Sequence, residues 1–161
     1  MSANAIRVGV ISDTHNLLRP QAIEFLSGCR SIIHCGDICD PEILTRLALI
    51  APVTAVRGNN DRGAWAARLP EHQRLSIGAV DIHVIHDLAQ LDIDPGSGGV
   101  AVVLSGHSHQ PKIENRAGVL YVNPGSAGPR RFKLPVSAAE LLIDGAAVTP
   151  KIVDLEQYRG P

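Results

Sequence analysis

The sequence predicts an α/β fold in which two β-sheets pack together with helices outside both, and two observations support this. In the first half, β-branched runs alternate with helix-like segments, an order that implies parallel strands joined by right-handed crossovers. In the second half, turn sequences separate pairs of apolar runs, which predicts hairpins and mostly antiparallel pairing in a second sheet. The chain of 161 residues, 1–161, is expected to form a single domain.

The predicted strands are short runs rich in β-branched residues, bounded by glycine and polar residues. In the second half the connections are short turns at residues 78–79, 116–118 and 144–145, and the Asp-Gly pair of the last suits a type I′ turn. The strands are expected at residues 8–12, 31–35, 53–56, 74–77, 80–85, 100–104, 112–115, 119–122, 141–143 and 147–153.

Three segments of the first half are predicted to be helices. A helix over residues 20–26 has proline at its first position, where the missing N–H costs nothing. Asp40, followed by proline and an acidic residue, starts a second helix that is expected to continue to about Leu49. A third is expected over residues 61–69, which a proline follows. Residues 92–99, rich in Asp, Gly, Pro and Ser, are expected to form a surface loop beside the site.

The composition narrows the class of function. The net charge is −1, from 15 basic and 16 acidic residues, so no basic field for general nucleic-acid binding is present. No apolar run has the length of a membrane span, and the N-terminal run is too short for a signal peptide, so no membrane association and a cytoplasmic location are expected. The three cysteines are expected to be reduced, with Cys35 and Cys39 as small packing residues.

Residues that can bind a metal ion recur at the ends of the predicted strands. In open α/β sheets the functional crevice lies outside the carboxyl ends of the strands, so these side chains are expected to converge on one rim. Each motif alone can be explained as a turn or a helix cap, but that coincidence would have to occur at five strand ends. The seven nitrogen and oxygen ligand candidates are Asp13, His15, Asp37, Asn59, His86, His107 and His109.

The ligand types indicate the ion and the charge of the substrate. Histidine, aspartate and asparagine without thiolate suit Mn²⁺, Fe²⁺, Zn²⁺ or Mg²⁺. Two ions need a shared ligand, and Asp37 is the candidate because it follows a central strand. Two divalent ions outweigh the charges of Asp13 and Asp37, which favours an anionic substrate such as a phosphate ester. His34 and His83 lie inside strands and are expected to be structural, whereas His72 is expected in a solvated loop.

The ordered set of motifs resembles the calcineurin-like metallophosphoesterase superfamily, whose pattern is D-x-H, G-D, G-N-x-[D/E], H and G-H-x-H. The match extends from about Ile6 to Arg130. Chain size and the N-P-G-S loop resemble the small bacterial and archaeal phosphodiesterase branch, to which the retromer vacuolar-sorting scaffold subunit is distantly related. The resemblance implies a four-layer α/β/β/α sandwich of two packed mixed sheets. The matching segments are Asp13-Thr-His15, Gly36-Asp37, Gly58-Asn59-Asn60-Asp61, His86, Gly106-His107-Ser-His109 and Asn123-Pro-Gly-Ser126.

The resemblance also implies a metal-dependent phosphoesterase, with a phosphodiesterase as the main expectation. Such an enzyme hydrolyses a small phosphate ester with a hydroxide bound at two metal ions. Manganese is the first expectation, with iron, zinc, nickel or magnesium as alternatives. Asp37, Asn59 and His107 are the candidate catalytic residues. One ion would be held by Asp13, His15, Asp37 and His109, and the other by Asp37, Asn59, His86 and His107.

Five further positions have two interpretations each or depart from the family pattern. Asp61 resembles an acid that supports the site from behind, but it also suits a helix cap. Asn123 either bonds near the rim or forms an ordinary turn, and Arg130 either contacts a phosphoryl oxygen or is solvated. Asp87, where many small relatives have glycine, either orients an imidazole or narrows the entrance. Asn60 replaces a histidine that protonates the leaving group in larger relatives, and an amide cannot deliver a proton.

Two alternative functions stay open on the sequence. The first is a metal-stabilised scaffold or binding module with the same fold, and the second is a phosphomonoesterase or nucleotide-specific enzyme with the same chemistry. The sequence identifies neither the natural substrate nor the oligomeric state. A homo-oligomer is one alternative, for which Trp65 is a candidate interface residue unless it belongs to the core.

Overall fold

The structure is a computed structural model that describes residues 2–161 as ten strands, three α-helices and one 3₁₀ turn. The helices are α1 (Pro20–Leu26), α2 (Pro41–Ala48) and α3 (Ala64–Ala67), and the 3₁₀ turn is Leu88–Gln90. The strands are β1 (Ile6–Ile11), β2 (Ser31–His34), β3 (Val53–Ala55), β4 (His72–Ile77), β5 (Val80–Ile85), β6 (Val102–Leu104), β7 (Lys112–Arg116), β8 (Val119–Asn123), β9 (Ser137–Asp144) and β10 (Ala147–Asp154).

The strands form two five-stranded mixed sheets, as predicted. The first sheet has the order β10-β9-β1-β2-β3, in which β1, β2 and β3 are parallel and β9 runs antiparallel to both of its neighbours. The second has the order β4-β5-β6-β8-β7, with parallel β5, β6 and β8 between two antiparallel edge strands. The expectation of mostly antiparallel pairing in this sheet is therefore wrong, because only the two edge pairs are antiparallel. The first half of the chain, in which strands alternate with helices, therefore builds the parallel part of the first sheet. This confirms the prediction of parallel strands there.

The last hairpin lies in a different sheet from the one expected. β9 and β10 join the first sheet through β1, whereas the sequence suggested that the hairpins of the second half build the second sheet. The Asp-Gly turn fixes the pairing of β9 with β10, but it carries no information about which sheet accepts the pair. The nearly continuous burial of β9 is typical of a strand covered on both faces.

The core has two main layers and a smaller third one. Val8, Ile33 and Leu104 belong to the cluster between the sheets, and Phe25 and Leu47 belong to the cluster between the first sheet and the helices. Trp65 of α3 packs against this helix-side cluster, so it contributes to the core. Over the outer face of the second sheet, the cover comes from the 3₁₀ turn region, where Leu88 and Leu91 pack on Val103 and Tyr121. The outer layer is thinner there than on the helical side.

The first two helices agree with the sequence prediction and the third does not. At the start of α2, Asp40 accepts a hydrogen bond from the backbone N–H of Glu42 at 2.9 Å, as a capping carboxylate does. α3 covers only Ala64–Ala67 instead of residues 61–69, because Asp61 bonds to other loops and Gly63 precedes the helix with φ 97°. No helix within residues 2–161 is long and apolar enough to cross a membrane.

Candidate metal centre

The loops that follow β1, β2, β5 and β6 are bonded to one another at one edge of the sheets. The backbone N–H of Asp13 donates to the carbonyl of Gly36 at 2.9 Å, which joins the loops after β1 and β2. The N–H of Gly106 donates to the carbonyl of His86 at 2.9 Å, which joins the loops after β6 and β5. The carboxyl ends of these strands therefore meet at one rim, as the sheet rule requires.

A first group of ligand atoms surrounds one carboxylate oxygen of Asp13. Asp13 Oδ1 lies 3.3 Å from His109 Nε2 and 3.7 Å from His15 Nε2, and the two imidazole nitrogens are 3.3 Å apart. His15 Nε2 also lies 3.5 Å from Asp37 Oδ2. Ligands about 2.0–2.2 Å from one ion are about 2.8–3.6 Å from each other in tetrahedral or octahedral geometry. The observed spacing is close to that range, so Asp13, His15 and His109 fit one divalent ion, and Asp37 adjoins them through His15.

A second group of ligand atoms adjoins the first through Asp37. His86 Nε2 lies 3.4 Å from Asp37 Oδ1 and 3.0 Å from Asn59 Oδ1, and His107 Nδ1 lies 3.1 Å from the same amide oxygen. The two oxygens of Asp37 therefore face different groups, Oδ2 the first and Oδ1 the second. This is the arrangement expected of a carboxylate shared by two ions. All seven predicted ligand side chains are brought together here.

One carboxylate oxygen of Asp13 has no hydrogen-bond partner, and this shows whether a cation fits among these residues. Asp13 Oδ2 accepts hydrogen bonds from Ser12 Oγ at 2.6 Å and from the backbone N–H of His107 at 3.0 Å. Asp13 Oδ1 is buried and has no hydrogen-bond partner within residues 2–161, and the same holds for His109 Nδ1. Leaving such an atom unpaired costs about 1–3 kcal/mol, more when it is charged. A divalent ion bound together by Asp13, His15 and His109 would satisfy this oxygen, so the residues present fit a cation here.

Both carboxyl groups are ionised at neutral pH. Burial raises the pKa of Asp37, but contact with His86 and hydrogen bonds from Asn60 outweigh it and lower the pKa to about 2. Burial also opposes ionisation of Asp13, yet His109, His15 and Ser12 hold the pKa of this group well below its usual range. The two negative charges are thus available as metal ligands over the whole physiological pH range.

Five of the seven ligand residues have a left-handed backbone. The φ angles are 55° at Asp13, 42° at His15, 56° at Asp37, 70° at His107 and 61° at His109. Only a few per cent of non-glycine residues adopt this region, and each such position costs about 1–3 kcal/mol of strain. The strain persists because neighbouring hydrogen bonds fix the loops. It concentrates among the candidate ligand residues, a distribution that is typical of functional sites.

Asp61 joins the two loops that carry Asp37 and Asn59. Its Oδ2 accepts hydrogen bonds from the backbone N–H of Asp37 at 3.0 Å and of Gly58 at 2.8 Å, and its Oδ1 accepts from that of Cys39 at 2.8 Å. The carboxylate caps no helix, since α3 begins three residues later. Of the two interpretations that the sequence allowed, the contacts favour support of the site.

Replacing Asp61 with asparagine is expected to weaken the site without removing a ligand. The amide would point an N–H at backbone N–H groups, which leaves buried donors unpaired and lowers the free energy of unfolding by about 1–3 kcal/mol. Loss of such an outer contact lowers metal affinity by about 10- to 100-fold. Urea denaturation and manganese titration would measure both effects. Asp94→Asn, on an exposed loop, is the matched control. Unchanged manganese affinity in Asp61→Asn would contradict this role.

For Asn123 and Asp87 the structure favours one of the two interpretations that the sequence allowed. Asn123 bonds near the rim, and Asp87 lies beside an imidazole. The Nδ2 of Asn123 donates to the carbonyl of Gly106 at 2.9 Å and to Ser108 Oγ at 3.1 Å, which fixes the G-H-x-H loop. Asp87 Oδ2 lies 3.8 Å from His107 Nε2, on the side of the ring that faces away from Asn59. This position suits a carboxylate that orients the imidazole.

Several residues in the rim were not singled out from the sequence. Ser12 Oγ donates to Asp13 Oδ2 at 2.6 Å, and Ser126 Oγ donates to the backbone carbonyl of Asp13 at 2.9 Å. Asn60, considered only as a missing acid, donates to Asp37 from both its backbone N–H and its Nδ2, each at 2.8 Å. Ser12 and Asn60 are marked in advance only by their position next to candidate ligands in the sequence, and Ser126 only by its place in the N-P-G-S segment.

Other polar residues lie outside the ligand set. His34 is buried, its Nε2 lies 3.0 Å from a threonine hydroxyl, and burial lowers its pKa to about 3, which confirms a neutral structural role. His72 is the first residue of β4, so the expectation that it lies in a loop is wrong. Its ring stacks on that of His83, with ring centroids 5.4 Å apart. Arg130 is ion-paired with Glu156, and it lines neither groove beside the centre.

The cysteines next to Asp37 are thiols and not thiolates. Cys35 is fully buried, which raises its pKa and makes it a packing residue, as predicted. Burial and then the charge of Asp61 raise the pKa of Cys39 to about 11. Cys39 Sγ lies 3.7 Å from Nδ1 of His15, the ring nitrogen that faces away from the ligand group. Its sulfur therefore contacts a ligand imidazole from outside.

Two grooves of about 430 Å³ each flank the centre. His107 and Asp87 line both, so the ligand group with Asn59 and His107 is open to solvent on two sides. One groove continues past Arg57 and His72, and the other continues over β7 and β8. An extended substrate can therefore reach the ligand atoms from either direction.

Comparisons with known proteins agree with these motifs and this geometry. Residues 6–145 match the sequence model of the calcineurin-like phosphoesterase superfamily domain. A probable metallophosphoesterase of Methanocaldococcus jannaschii is 36% identical over 163 aligned residues, covering 93% of this chain and 82% of that protein. A phosphodiesterase of the same organism is 29% identical over 138 residues, covering 74% of this chain and 83% of the relative.

The fold has close counterparts among solved structures. Vacuolar protein sorting 29 from Cryptosporidium parvum superimposes with a TM-score of 0.79 at 22% identity, covering 93% of this chain and 91% of that one. At this identity the similarity establishes the fold, an α/β sandwich of two mixed sheets, and the family match supplies the rest. The chain therefore belongs to the calcineurin-like phosphoesterase superfamily.

Proposed function

We propose that the protein is a phosphodiesterase that uses two divalent metal ions, in the first place manganese, to hydrolyse a small phosphodiester. The observation that carries the proposal is the direction of the Asp37 oxygens. Oδ2 lies 3.5 Å from His15 Nε2 and Oδ1 lies 3.4 Å from His86 Nε2, in two separate groups of nitrogen and oxygen ligands. When bound, two divalent ions supply Lewis acidity and a water that ionises near neutral pH.

The protein residues hold the ions and leave the centre positively charged. Asp13 and Asp37 contribute two negative charges against the four positive charges of two divalent ions, so a phosphate ester is attracted. Asn59 and His107 line a groove beside the centre, and this places them at the side from which a phosphoryl group approaches. Asp37 holds the two ligand groups at a fixed separation. These three residues are the proposed catalytic residues.

A diester is proposed in preference to a monoester for two reasons. The phosphodiesterase of Methanocaldococcus jannaschii is a relative of this chain, which supports the same substrate class. The centre also opens into two grooves, so a phosphoryl group held there has room for an ester arm on either side. A monoester would occupy only one of them.

The rate is expected to depend steeply on the leaving group, because Asn60 supplies no proton. Its side chain donates to Asp37 Oδ2, and an amide cannot act as a general acid. Methyl aryl phosphates with phenols of increasing pKa, assayed with manganese by ³¹P NMR, should show a steep fall in kcat. Asn60→His should flatten this dependence, since general acid catalysis contributes about 10²–10⁴-fold for poor leaving groups. Asn60→Ala should keep it steep.

The same assay tests the proposed function as a whole. Manganese-dependent turnover of methyl 4-nitrophenyl phosphate that chelation abolishes is the expected result for the wild-type protein. Faster hydrolysis of 4-nitrophenyl phosphate than of the diester would favour a phosphomonoesterase. Full occupancy by two ions without turnover of either ester would contradict the proposal and favour the scaffold alternative. An equal rate for all phenols in the wild type would contradict the role given to Asn60.

A further inference from the structure

The groove over β7 and β8 leads away from the metal centre across the outer face of the second sheet. Its inner end is lined by His107 and Asn123, and its sides include Leu88 and Tyr121. Leu88 belongs to the 3₁₀ turn region, whose apolar residues cover Val103 and reach Tyr121. The groove lies beside the 3₁₀ turn, over the part of the sheet face that these apolar residues leave uncovered. A group bound beside His107 can thus extend directly onto the exposed part of the sheet.

The pairing of β7 with β8 places a row of side chains along this groove. Alternate residues of a strand point to one face, and residues directly opposite on the neighbouring strand share that face. β8 runs from Val119, at the outer end, to Asn123 beside the centre, a span of about 13 Å at about 3.3 Å per residue. The pairs on this face, from the centre outwards, are Lys112 with Asn123, Glu114 with Tyr121, and Arg116 with Val119.

Around Glu114 the groove carries an aromatic ring and one more cation than carboxylates, whereas Asp87 lines the groove at the end beside His107. The guanidinium of Arg116 lies over the ring of Tyr121, 4.6 Å from its centroid. Lys112 Nζ and Arg116 Nη2 both contact Glu114 Oε2, at 3.2 and 3.0 Å, so two cations share one carboxylate. The side chains of Lys112 and Arg116 are 61% and 48% exposed, which leaves donors free for a ligand. A ligand with an apolar portion and an anion beside it fits these side chains.

We propose that this groove binds one ester arm of the substrate, and that this arm carries a ring or other apolar portion together with an anionic group. The inference rests on the proposed function, because the phosphoryl group is taken to lie at the metal centre. The apolar portion packs beside Leu88 and Tyr121, and the anion binds Lys112 and Arg116. A diester with two short neutral arms leaves both cations solvated. The substrate class is therefore a phosphodiester with one anionic arm.

The test compares matched pairs of esters that differ only by a carboxylate. Methyl 4-nitrophenyl phosphate and methyl 3-carboxy-4-nitrophenyl phosphate place the anion on the leaving arm. Ethyl 4-nitrophenyl phosphate and 2-carboxyethyl 4-nitrophenyl phosphate place it on the other arm. The measured quantity is the ratio of kcat/KM for the anionic ester to that for its neutral partner. Intrinsic differences in reactivity cancel when the ratio in a variant is divided by the ratio in the wild type.

The variants are expected to move this ratio in opposite directions. Lys112→Gln/Arg116→Gln should lower it about five- to tenfold for one of the two pairs, as expected for two exposed ionic contacts. Glu114→Gln removes the competing carboxylate and should raise it about two- to threefold. Arg46→Gln/Arg68→Gln removes the same charge from exposed positions outside the groove, one within α2 and one just after α3, and should leave it unchanged. Circular dichroism melting would verify that each variant is folded.

A second readout separates the groove from the chemistry. Calorimetric titration of the manganese-loaded protein with 5-hydroxy-2-nitrobenzoate should show weaker binding in Lys112→Gln/Arg116→Gln than in the control. Turnover with the same ratio in wild type and groove variants would overturn this assignment while the proposed function stands. A preference for the anionic ester that survives in the groove variants would also overturn it. Absence of all turnover would overturn the proposed function, and the titration would then decide the groove alone.

Discussion

Replacing Asp37 with alanine is expected to lower kcat on a manganese-loaded aryl diester by about a thousandfold or more. Its two oxygens face the two ligand groups, at 3.5 Å from His15 and 3.4 Å from His86, so the substitution removes a ligand from both. Metal ions contribute several kcal/mol to stabilising the transition state, and each 1.4 kcal/mol changes a rate about tenfold. Loss of metal from either group would lower the rate further. Nitrophenolate release and metal analysis of the purified protein measure the two consequences.

The controls for this substitution separate chemistry from folding. Asp37→Asn keeps the volume of the side chain and removes the charge, so its loss of metal with a preserved melting transition would exclude a general unfolding. Asp94→Ala removes a carboxylate from an exposed loop and should keep both the metal content and the rate. Two bound ions per chain and a rate within tenfold of wild type in Asp37→Ala would refute the shared-ligand assignment.

The fold class was predictable because local patterns coincide with global topology. Strand runs separated by helix signals at Pro20 and Asp40 led to the parallel half of the first sheet, and those helices begin where the caps predicted. The turn at residues 144–145 predicted a hairpin, but the choice between two sheets depends on packing of β9 against β1. The length of α3 was overestimated. The Asp61 carboxylate accepts hydrogen bonds from three backbone N–H groups of neighbouring loops, so it does not start a helix.

The candidate ligand residues could be brought together from the sequence because each lies within five residues of a strand end, and the sheet geometry places those ends together. The conformation that aims them at common points was not. The left-handed backbone at Asp13, Asp37 and His109 suits residue types that tolerate it better than most, but the residue types alone do not select these positions. The unpaired Asp13 Oδ1 and the groove over β7 and β8 likewise depend on contacts between residues far apart in the sequence. Tertiary contacts decide these features, and local propensity does not.

Replacing Gly58 with alanine is expected to damage the site although glycine contributes no ligand. A Cβ at this position would collide with the backbone N and with Oδ1 of Asp37. The loops cannot separate freely, because Asp61 Oδ2 accepts from the N–H of Gly58 at 2.8 Å and from that of Asp37 at 3.0 Å. The collision therefore either displaces Asp37 or breaks these hydrogen bonds. Overpacking of this kind costs about 1–3 kcal/mol of stability.

The effect of Gly58→Ala on catalysis should exceed its effect on stability. A displacement of about 1 Å in a group that positions the reacting centre costs about a hundredfold in rate. Urea denaturation, manganese titration and kcat on methyl 4-nitrophenyl phosphate measure the three effects. Gly96→Ala is the control, since its Cβ would meet its nearest neighbours at 3.7–3.8 Å, an ordinary contact. Wild-type manganese affinity together with wild-type kcat in Gly58→Ala would show that Asp37 does not need the close approach of this loop.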